Sequence, residues 1–451
     1  MPEPVRLCTL APGHFHAALV QKEALPSVDS RTHVYGPLDF DLIAHLDRIA
    51  RFNARDVRPT NWTTTVHAGD DWFERFRAER PGNTVVIAGR NRPKIDLILA
   101  AVSAGYCVLA DKPWIVDAAD FPKVESMFVE AERNGVFAWD IMTERFEITN
   151  RLQRELMHNV DVFGTALPGT ADEPGLELES VHYLSKHVAG VPLRRPAWWF
   201  DPAIAGEALT DVGTHLADLA IWLQFPDEAI ALADIEIVAA ERWPTAVGVD
   251  EFRQITGLPD VPPELAHLRD GHSLTYWGNN SATVRIRDRI FRLVTRWGVR
   301  ANSPDGDTHR ASARGTRSTI AIQHEAGLGS GPQLLVIPTK EKPGVLAAIK
   351  NACRQWSAII PGFEANDLGD RIHIRIPASE RTGHESHFAH VLAEFVAAFQ
   401  DRSKIPATHQ SNLLAKYHMT THAVSWARQR RQVEEHVTVM TPSTDPAAHI
   451  Q

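Results

Sequence analysis

The segment 85–113 constrains the fold more than any other part of the sequence. Residues 85–88 form an apolar run that predicts a β-strand, residues 95–105 show the apolar spacing of a helix, and residues 106–110 form a second apolar strand. Strand, helix and strand in this order predict a βαβ unit and therefore a parallel sheet. Ligands of such sheets bind at the carboxyl ends of the strands. Lys112 directly follows the second strand, so we expect it at a cofactor or substrate site rather than on a solvated loop.

A second motif places a carboxylate and an imidazole four residues apart, at Asp211 and His215. Residues at i and i+4 share one face of a helix, and a histidine held beside an aspartate is a general acid/base unit. The same residues also fit a capped helix start with a structurally satisfied histidine. The helix itself is predicted by an apolar stripe of Leu209, Val212, Leu216, Leu219 and Leu223, beside a second stripe of Asp211, His215, Asp218 and Trp222.

The two motifs together resemble the Gfo/Idh/MocA family of nicotinamide-dependent oxidoreductases. That family carries Glu-Lys-Pro at the end of its fifth Rossmann strand, where this chain has Asp111, Lys112 and Pro113. It also carries an Asp-x-x-x-His pair on a helix of its second domain, where this chain has Asp211 and His215. The resemblance implies an α/β Rossmann domain at the N-terminus and an α+β domain built on an open, mostly antiparallel β-sheet. Segments 137–154 and 182–200 resemble a branch of the family with a larger C-terminal domain.

The first turn of the chain carries an eroded dinucleotide-binding fingerprint. Residues 5–10 predict a strand and residues 17–22 the start of a helix. The Gly-x-Gly-x-x-Gly pattern provides a tight turn and lets the backbone approach a pyrophosphate. Its three glycines would fall at Ala11, Gly13 and His16, of which only Gly13 is a glycine. His16 either points toward the ligand or lines a wet loop. The predicted cofactor contacts of this turn are Gly13, His14, Phe15 and His16.

Further cofactor contacts are predicted after the second, fourth and fifth strands. An acidic side chain near the end of strand 32–35, Asp39 or Asp41, would hold the ribose hydroxyls of the adenosine and favour NAD over NADP. The family commonly has Thr-Pro-Asn after its fourth strand. Here Asn91 matches that pattern, whereas Arg90 departs from it and would contact the pyrophosphate or an anionic substrate. The predicted contacts of these segments are Asp39, Gly89, Arg90, Asn91, Asp111, Lys112 and Pro113.

The length of 451 residues predicts two domains. We expect residues 1–139 to form an NAD-binding Rossmann domain. Residues 140–440 would form a substrate-binding α+β domain whose last helices return to the first, and residues 441–451 a tail. The polar connections 256–263 and 302–307 are predicted to be surface loops. Candidate strands of the second sheet are 178–187, 231–242, 273–275, 282–287, 291–296, 318–323, 334–338 and 371–377, and candidate helices are 148–157, 384–400 and 412–430.

Composition excludes several classes of protein. A net charge of −9 gives no support to nucleic-acid binding. The absence of a long apolar run predicts no membrane span, and the short polar N-terminus predicts no signal peptide, so we expect a cytoplasmic protein. Cys8, Cys107 and Cys353 are far apart and set among apolar residues, which predicts reduced core cysteines. No tight histidine or cysteine spacing indicates a metal ligand set, so no metal is expected.

A dense polar and aromatic stretch precedes the helix of His215. The faces of tryptophan rings pack on sugar C–H groups, and cations hold acidic substituents. The family binds sugars beside this helix, so the resemblance implies a carbohydrate substrate, and the local cations suit a carboxylated, phosphorylated or sulfonated one. Alternatively, the arginines are solvated loop charges. The predicted substrate residues are Glu144, His182, Tyr183, Lys186, Arg194, Arg195, Trp198 and Trp199.

The resemblance implies hydride transfer to NAD with three catalytic residues. His215 would take the proton of a substrate hydroxyl, and Asp211 would orient His215 or bind a neighbouring hydroxyl. Lys112 would hydrogen-bond the reacting oxygen.

Three functions stay open at this point. The first is a simple NAD-dependent sugar or polyol dehydrogenase. The second is a redox-neutral NAD-dependent glycosidase, acting for example on a sulfoquinovoside by oxidation, elimination, hydration and reduction. The third is a non-catalytic NAD- or sugar-sensing protein. By resemblance alone, a homo-oligomer, a dimer or tetramer, is expected.

Overall fold

Two β-sheets organise the computed structural model, which describes residues 3–188, 191–301 and 306–440. One sheet has six strands and the other ten, and a two-stranded ribbon lies apart from both. The predicted fold class, a Rossmann-type parallel sheet followed by a largely antiparallel sheet, is confirmed. The predicted tail, 441–451, lies outside the described residues.

The N-terminal sheet is parallel throughout. Its strands are β1 (Leu7–Leu10), β2 (Arg31–Gly36), β3 (Thr63–Ala68), β4 (Thr84–Ile87), β5 (Cys107–Asp111) and β6 (Ala138–Ile141). β1, β4 and β5 are buried along their whole length, which is why their sequences are continuous apolar runs. The strand order β3-β2-β1-β4-β5-β6 is that of a Rossmann fold, and the order reverses between β1 and β4. The carboxyl ends of β1, β4 and β5 therefore lie side by side.

Five helices belong to this part of the chain: α1 (His16–Leu19), α2 (Phe40–Ala54), α3 (Trp72–Glu79), α4 (Lys94–Ser103) and α5 (Phe121–Arg133). α2 begins at Asp39, whose side chain accepts a hydrogen bond from the backbone N–H of Leu42. The helix expected over 17–22 ends after Leu19. The backbone N–H groups of Gln21 and Lys22 donate to carbonyls three residues earlier, so the last turn is tighter than an α-helix.

The C-terminal half is built on the ten-stranded sheet. Its strands, with the ribbon β8–β9, are β7 (Leu176–Ser185), β8 (His187–Val188), β9 (Val191–Pro192), β10 (Ile235–Gly248), β11 (Arg269–Asp270), β12 (Ser273–Ile286), β13 (Arg289–Arg300), β14 (Thr308–Arg314), β15 (Ser318–Gln323), β16 (Gln333–Pro338), β17 (Glu364–Asp367) and β18 (Ile372–Arg375). The order is β10-β12-β13-β7-β14-β15-β16-β18-β17, with β11 beside β12. Only β13 and β7 pair in parallel; the other described pairs of this sheet are antiparallel.

The sequence predicted this sheet incompletely. β14 and β17 were not predicted, and the separate strands 273–275 and 282–287 are one strand, β12. The intervening residues look like a turn because they include Gly278, Asn279 and Asn280. In the fold, Asn279 donates to the carbonyl of Trp243 and accepts from the backbone N–H of Trp297, beside a register shift in β10. The Asn279 side chain thus forms hydrogen bonds with backbone groups at an irregularity of the sheet, and that irregularity depends on how the neighbouring strands pair.

Six helices complete the structure: α6 (Ile148–Met157), α7 (Gly213–Gln224), α8 (Val249–Thr256), α9 (Lys342–Ile359), α10 (His384–Gln400) and α11 (His409–Met440). α7 lies in the core of the second half, with Leu216, Leu219 and Leu223 buried. α10 packs on the first sheet through side chains such as Phe388, and α11 does so through Leu413 and Tyr417. The expected boundary at 139/140 falls inside β6 and stays a prediction.

Two composition-based expectations can be examined in the fold. Among the described residues, no helix is long and apolar enough to cross a membrane. Cys8, Cys107 and Cys353 are all free and buried, as predicted.

Candidate active site

Two backbone turns cross closely at the edge of the first sheet. The backbone N–H of His14, after β1, donates to the carbonyl of Ala88, after β4, over 3.0 Å. A Cβ atom added to Gly89 would lie 2.4 Å from the carbonyl oxygen of Ala11, so only glycine fits there. Ala11 itself has φ 39°, the left-handed conformation that the missing first glycine of the fingerprint would adopt. The eroded sequence motif therefore still forms a tight turn.

A buried ion pair joins the two halves of the molecule. Lys112 Nζ lies 2.7 Å from Asp211 Oδ1, and each side chain is only 8% exposed. The position of Asp211 differs from the sequence prediction, which placed it on the same helix as His215. α7 begins at Gly213, and Asp211 lies in the turn before it. Its backbone carbonyl accepts from the N–H of Thr214, while its carboxylate points to Lys112. The described contacts of the carboxylate are with Lys112 rather than with His215.

His215 lies in the first turn of α7 with its Nδ1 enclosed and without a hydrogen-bond partner in the described part of the chain. Burial, reinforced by the charge of Lys112, lowers the pKa of His215 to about 3. The imidazole is therefore neutral over the physiological pH range and can accept a proton. The nearby Glu144 lies 3.5 Å from His384. Although burial opposes ionisation, the hydrogen bond from His384 holds the pKa of the Glu144 carboxyl below its usual value.

The other polar residue of the α7 stripe, Asp218, does not face the cleft. It accepts two hydrogen bonds of 2.6 Å from Arg145 and lies 3.2 Å from Lys416 Nζ on α11. Lys416 also pairs with Asp140 on β6. This buried network ties α7 and α11 to the first sheet behind the site.

A hydrogen-bonded chain of side chains lies on the second sheet. Ser180 Oγ is 2.8 Å from His182 Nε2, and His182 Nδ1 is 2.9 Å from Asp307 Oδ2. Lys186 Nζ bonds the same Asp307 oxygen over 2.5 Å. Burial opposes ionisation of Asp307, but the hydrogen bond from His182 and the charge of Lys186 keep the pKa of Asp307 low. The expected surface loop 302–307 therefore ends in a site residue, while residues 302–305 lie outside the described chain.

Aromatic rings and a buried guanidinium form one wall. Arg195 lies between Trp199 and Trp297, with its Cζ 4.7 and 4.9 Å from the two ring centroids. The guanidinium also donates to the backbone carbonyls of Tyr183 and Leu184. In the described chain Arg195 has no carboxylate partner, so its charge remains available to a ligand.

These groups surround a cavity of about 310 Å³, the main cavity. Two further cavities adjoin it along the edge of the first sheet. The middle cavity, of about 290 Å³, shares His14, Phe15 and Trp198 with the main one. The outer cavity, of about 300 Å³, shares Gly13 and Asp41 with the middle one. The three cavities form a continuous series across the switch between β1 and β4.

Most of the predicted site residues lie along this series. The predicted residues that line the main cavity are His14, Phe15, His16, Gly89, Asn91, Asp111, Lys112, Glu144, His182, Lys186, Arg195, Trp198, Trp199, Asp211 and His215. The outer cavity is lined by Gly13, Asp39, Gly89 and Arg90.

Three predicted residues lie outside the main and outer cavities. Arg194 is exposed and lines only the middle cavity. The ring of Tyr183 packs against Gly298, where an added Cβ would lie 2.8 Å from it, and Pro113 is buried outside all three cavities.

Sequence reasoning missed several polar residues of the site: Lys94, Ser180, Asp307, His309 and His384. Lys94 Nζ donates to Asn91 Oδ1 and to the carbonyl of Lys112, and burial lowers its pKa to about 8. Its position on the polar start of an otherwise apolar helix was the only sequence signal. His384 opens a correctly predicted helix, but nothing local indicates which surface that helix start faces.

A parallel Rossmann sheet whose ligand-binding edge faces a cavity shared with a second, mixed sheet is the architecture of two-domain oxidoreductases. Comparison with known proteins agrees. Residues 152–428 match the family described as "Putative oxidoreductase C terminal domain", and the chain belongs to this oxidoreductase family. The crystal structure of a "putative oxidoreductase" from Parabacteroides merdae is 37% identical, with a TM-score of 0.91 over 95% of this chain and 98% of that one.

More distant structures share the fold alone. GenD2 of gentamicin A biosynthesis, in complex with NAD, is 17% identical with a TM-score of 0.57, and 96% of each chain is covered. KijD10, a 3-ketoreductase from Actinomadura kijaniata in complex with TDP-benzene and NADP, is 15% identical with a TM-score of 0.56, covering 94% of this chain and 98% of that one. No curated protein matches the sequence.

Proposed function

We propose that this protein is an NAD-dependent oxidoreductase that removes hydride from a hydroxyl-bearing carbon of a sugar. The observation that carries the proposal is the buried pair of Lys112 and Asp211, 2.7 Å apart, in the same cavity as the neutral imidazole of His215. A cation, its counter-ion and a base thus line one cavity at the carboxyl edge of a Rossmann sheet.

The series of cavities fits an extended dinucleotide. Gly89 lines both the main and the outer cavity, and its close crossing with Ala11 presents backbone rather than a side chain there, as a pyrophosphate requires. Asp39 lines the outer cavity at the start of α2, where a carboxylate would accept from the ribose hydroxyls. Two proteins of this fold, GenD2 and KijD10, were crystallised with NAD and NADP respectively. Asp39 favours NAD here.

The residues of the main cavity have separate roles in the proposed reaction. Bound NAD would supply the hydride acceptor. Lys112, held by Asp211, donates a hydrogen bond to the reacting oxygen and stabilises its developing negative charge. His215 accepts the hydroxyl proton through its neutral ring. Arg195, held between the rings of Trp199 and Trp297, offers a charge to an acidic substituent of the sugar.

We propose a redox-neutral glycosidase as the second candidate function, because the side chains of Ser180, His182 and Asp307 are connected by hydrogen bonds. Net hydrolysis through a transient ketone needs a second acid/base group, which removes the C–H proton next to the carbonyl and helps the glycosidic oxygen to leave. His182, held by Asp307 over 2.9 Å, lines the same cavity as His215 and suits that task. The hydride returns at the end, so NAD is regenerated. An anionic glycoside such as a sulfoquinovoside would suit Arg195.

One assay separates these functions. The purified protein is incubated with NAD and a panel of sugars and aryl glycosides, including anionic ones, while NADH and released phenol are followed together. NADH accumulation supports the dehydrogenase. Phenol release that requires NAD without NADH accumulation supports the glycosidase. Silence in both channels with NAD bound would mean that the panel lacks the substrate or that the protein is a sensor.

Two variants test the assignment of His215. His215→Ala should abolish turnover and leave NAD binding intact, whereas the control His272→Ala changes an exposed histidine outside the main cavity and should retain activity. Full turnover in His215→Ala would refute its role. The cytoplasmic location and the homo-oligomer remain predictions, which fractionation and light scattering would test.

A further inference from the structure

Three side chains from the ends of two strands, β1 and β5, converge in the main cavity. His14 and His16 follow β1, and Asp111 ends β5. His16 Nδ1 lies 3.0 Å and His14 Nδ1 lies 3.4 Å from the same oxygen, Asp111 Oδ2. The two imidazole rings stand at 80° to each other with centroids 4.1 Å apart, and His16 Nδ1 is hydrogen-bonded to the Asp111 oxygen that both rings approach.

We propose that His14, His16 and Asp111 bind a divalent transition-metal ion. This goes beyond the proposed function, because the ion would be held whether or not hydride transfer takes place. It also gives these residues a task other than the cofactor contact predicted from the sequence, and it replaces the expectation of no metal.

The distances match the edges of a coordination shell. Bonds of about 2.1 Å from a metal to imidazole nitrogen and carboxylate oxygen place neighbouring ligand atoms about 3.0 Å apart at 90° and about 3.4 Å apart at tetrahedral angles. The observed separations from Asp111 Oδ2 are 3.0 and 3.4 Å, and the donor atoms of all three residues lie within 4.8 Å of one another. Two imidazoles and one carboxylate are a ligand set of catalytic zinc and non-haem iron(II) sites, which keep positions open.

The site also contains polar atoms that the described protein leaves unsatisfied. His14 Nδ1 and Asp111 Oδ1 are enclosed and have no hydrogen-bond partner in the described chain, although the Asp111 side chain is only 5% exposed. Buried polar atoms without partners are costly, and a bound ion or water would satisfy them. A metal bound at His14 Nδ1 would satisfy the first atom directly.

The charges around the site are compatible with a cation. Lys112 is paired with Asp211 over 2.7 Å, so the ion-pair partner of its ammonium group in the described chain is Asp211 rather than Asp111.

The open positions of the ion would border the main cavity, because all three ligands line it together with Lys112. The class of ligand expected there is an oxygen of the carbohydrate, a hydroxyl or a carbonyl.

Metal binding is measured directly on the full-length protein. The protein is stripped with a chelator, loaded with Co²⁺ or Zn²⁺, and examined by elemental analysis and by the visible absorption of Co²⁺. We expect one equivalent of metal, with affinity reduced about tenfold or more in His14→Ala, His16→Ala and Asp111→Asn. His45→Gln is the control, because His45 is buried in the same half of the chain but outside the cluster.

A second measurement does not depend on the variants folding. In the wild-type protein loaded with Co²⁺, coordination through Nδ1 leaves an exchangeable Nε2–H on each of two histidines, so two paramagnetically shifted exchangeable resonances are expected. Failure of the wild type to retain metal at micromolar concentration, or a Co²⁺ protein without these resonances, would overturn the proposal. NAD binding is measured separately by fluorescence and tests the proposed function. A protein that binds NAD but no metal would contradict the metal site alone, and a protein that binds metal but no NAD would contradict the proposed function alone.

Discussion

Replacing Lys112 by methionine should destabilise the fold by about 3–5 kcal/mol, because the Asp211 carboxylate would remain buried without its cation. Both side chains are only 8% exposed and their charged atoms are 2.7 Å apart. At that separation and an effective dielectric constant of about 20, the gross attraction is about 6 kcal/mol, part of which offsets desolvation. Asp211→Leu should cost a similar amount for the opposite reason, an unpaired ammonium group.

The double variant decides whether the pair acts as a unit. Replacing both residues by apolar side chains leaves no unpaired charge, so the double variant should cost about 2 kcal/mol or less. The coupling free energy from the double-mutant cycle is then about 4 kcal/mol or more. Since Lys112 follows β5 and Asp211 precedes α7, this energy is also a measure of how firmly the two halves are joined.

Urea unfolding followed by tryptophan fluorescence and circular dichroism gives the four free energies of unfolding. The exposed pair of Arg51 and Asp47 on α2, 2.8 Å apart, is the matched control and should couple by about 0.5 kcal/mol or less. Additive effects of the Lys112 and Asp211 substitutions within about 0.5 kcal/mol would refute the reasoning. All three variants should lose turnover.

Two further predictions concern pH and the turn at the cofactor site. His45 is 2% exposed, and burial lowers its pKa to about 4. Between pH 6.5 and 4 the unfolded chain therefore binds a proton at His45 that the folded chain does not, so the free energy of unfolding should decrease by up to about 3 kcal/mol as the pH is lowered through this window. In His45→Leu this contribution of His45 to the pH dependence should disappear. Thermal unfolding of both proteins from pH 7 to 4 tests this, and an equal pH dependence in the two proteins would contradict the prediction. Gly89→Ala should weaken NAD binding by about tenfold or more, since the new Cβ would meet the carbonyl oxygen of Ala11 at 2.4 Å. Gly36→Ala, with a nearest contact of 3.6 Å, should bind NAD normally in the same fluorescence titration, and equal binding by the two variants would refute the close crossing.

Local periodicity determined much of the fold. The apolar runs of β4 and β5 and the helix between them predicted the parallel sheet, and the helices over 148–157 and 384–400 begin and end where their apolar spacing does. Lys112 could be placed at the site because a residue at the carboxyl end of a parallel strand has little choice of surroundings. Such features depend on residues that are near one another in the chain.

The partners of the site residues were decided by the tertiary structure. Asp211 was expected beside His215, four residues away, but its carboxylate bonds Lys112, 99 residues away. Asp307 was expected on a surface loop and instead holds His182, across 125 residues. His14, His16 and Asp111 meet only because β1 and β5 flank β4 in the sheet. A sequence pattern shows which face of its own element a side chain occupies. Which other element that face meets depends on how the sheets and helices pack together, and this is why the partners of the site residues could not be derived from the sequence.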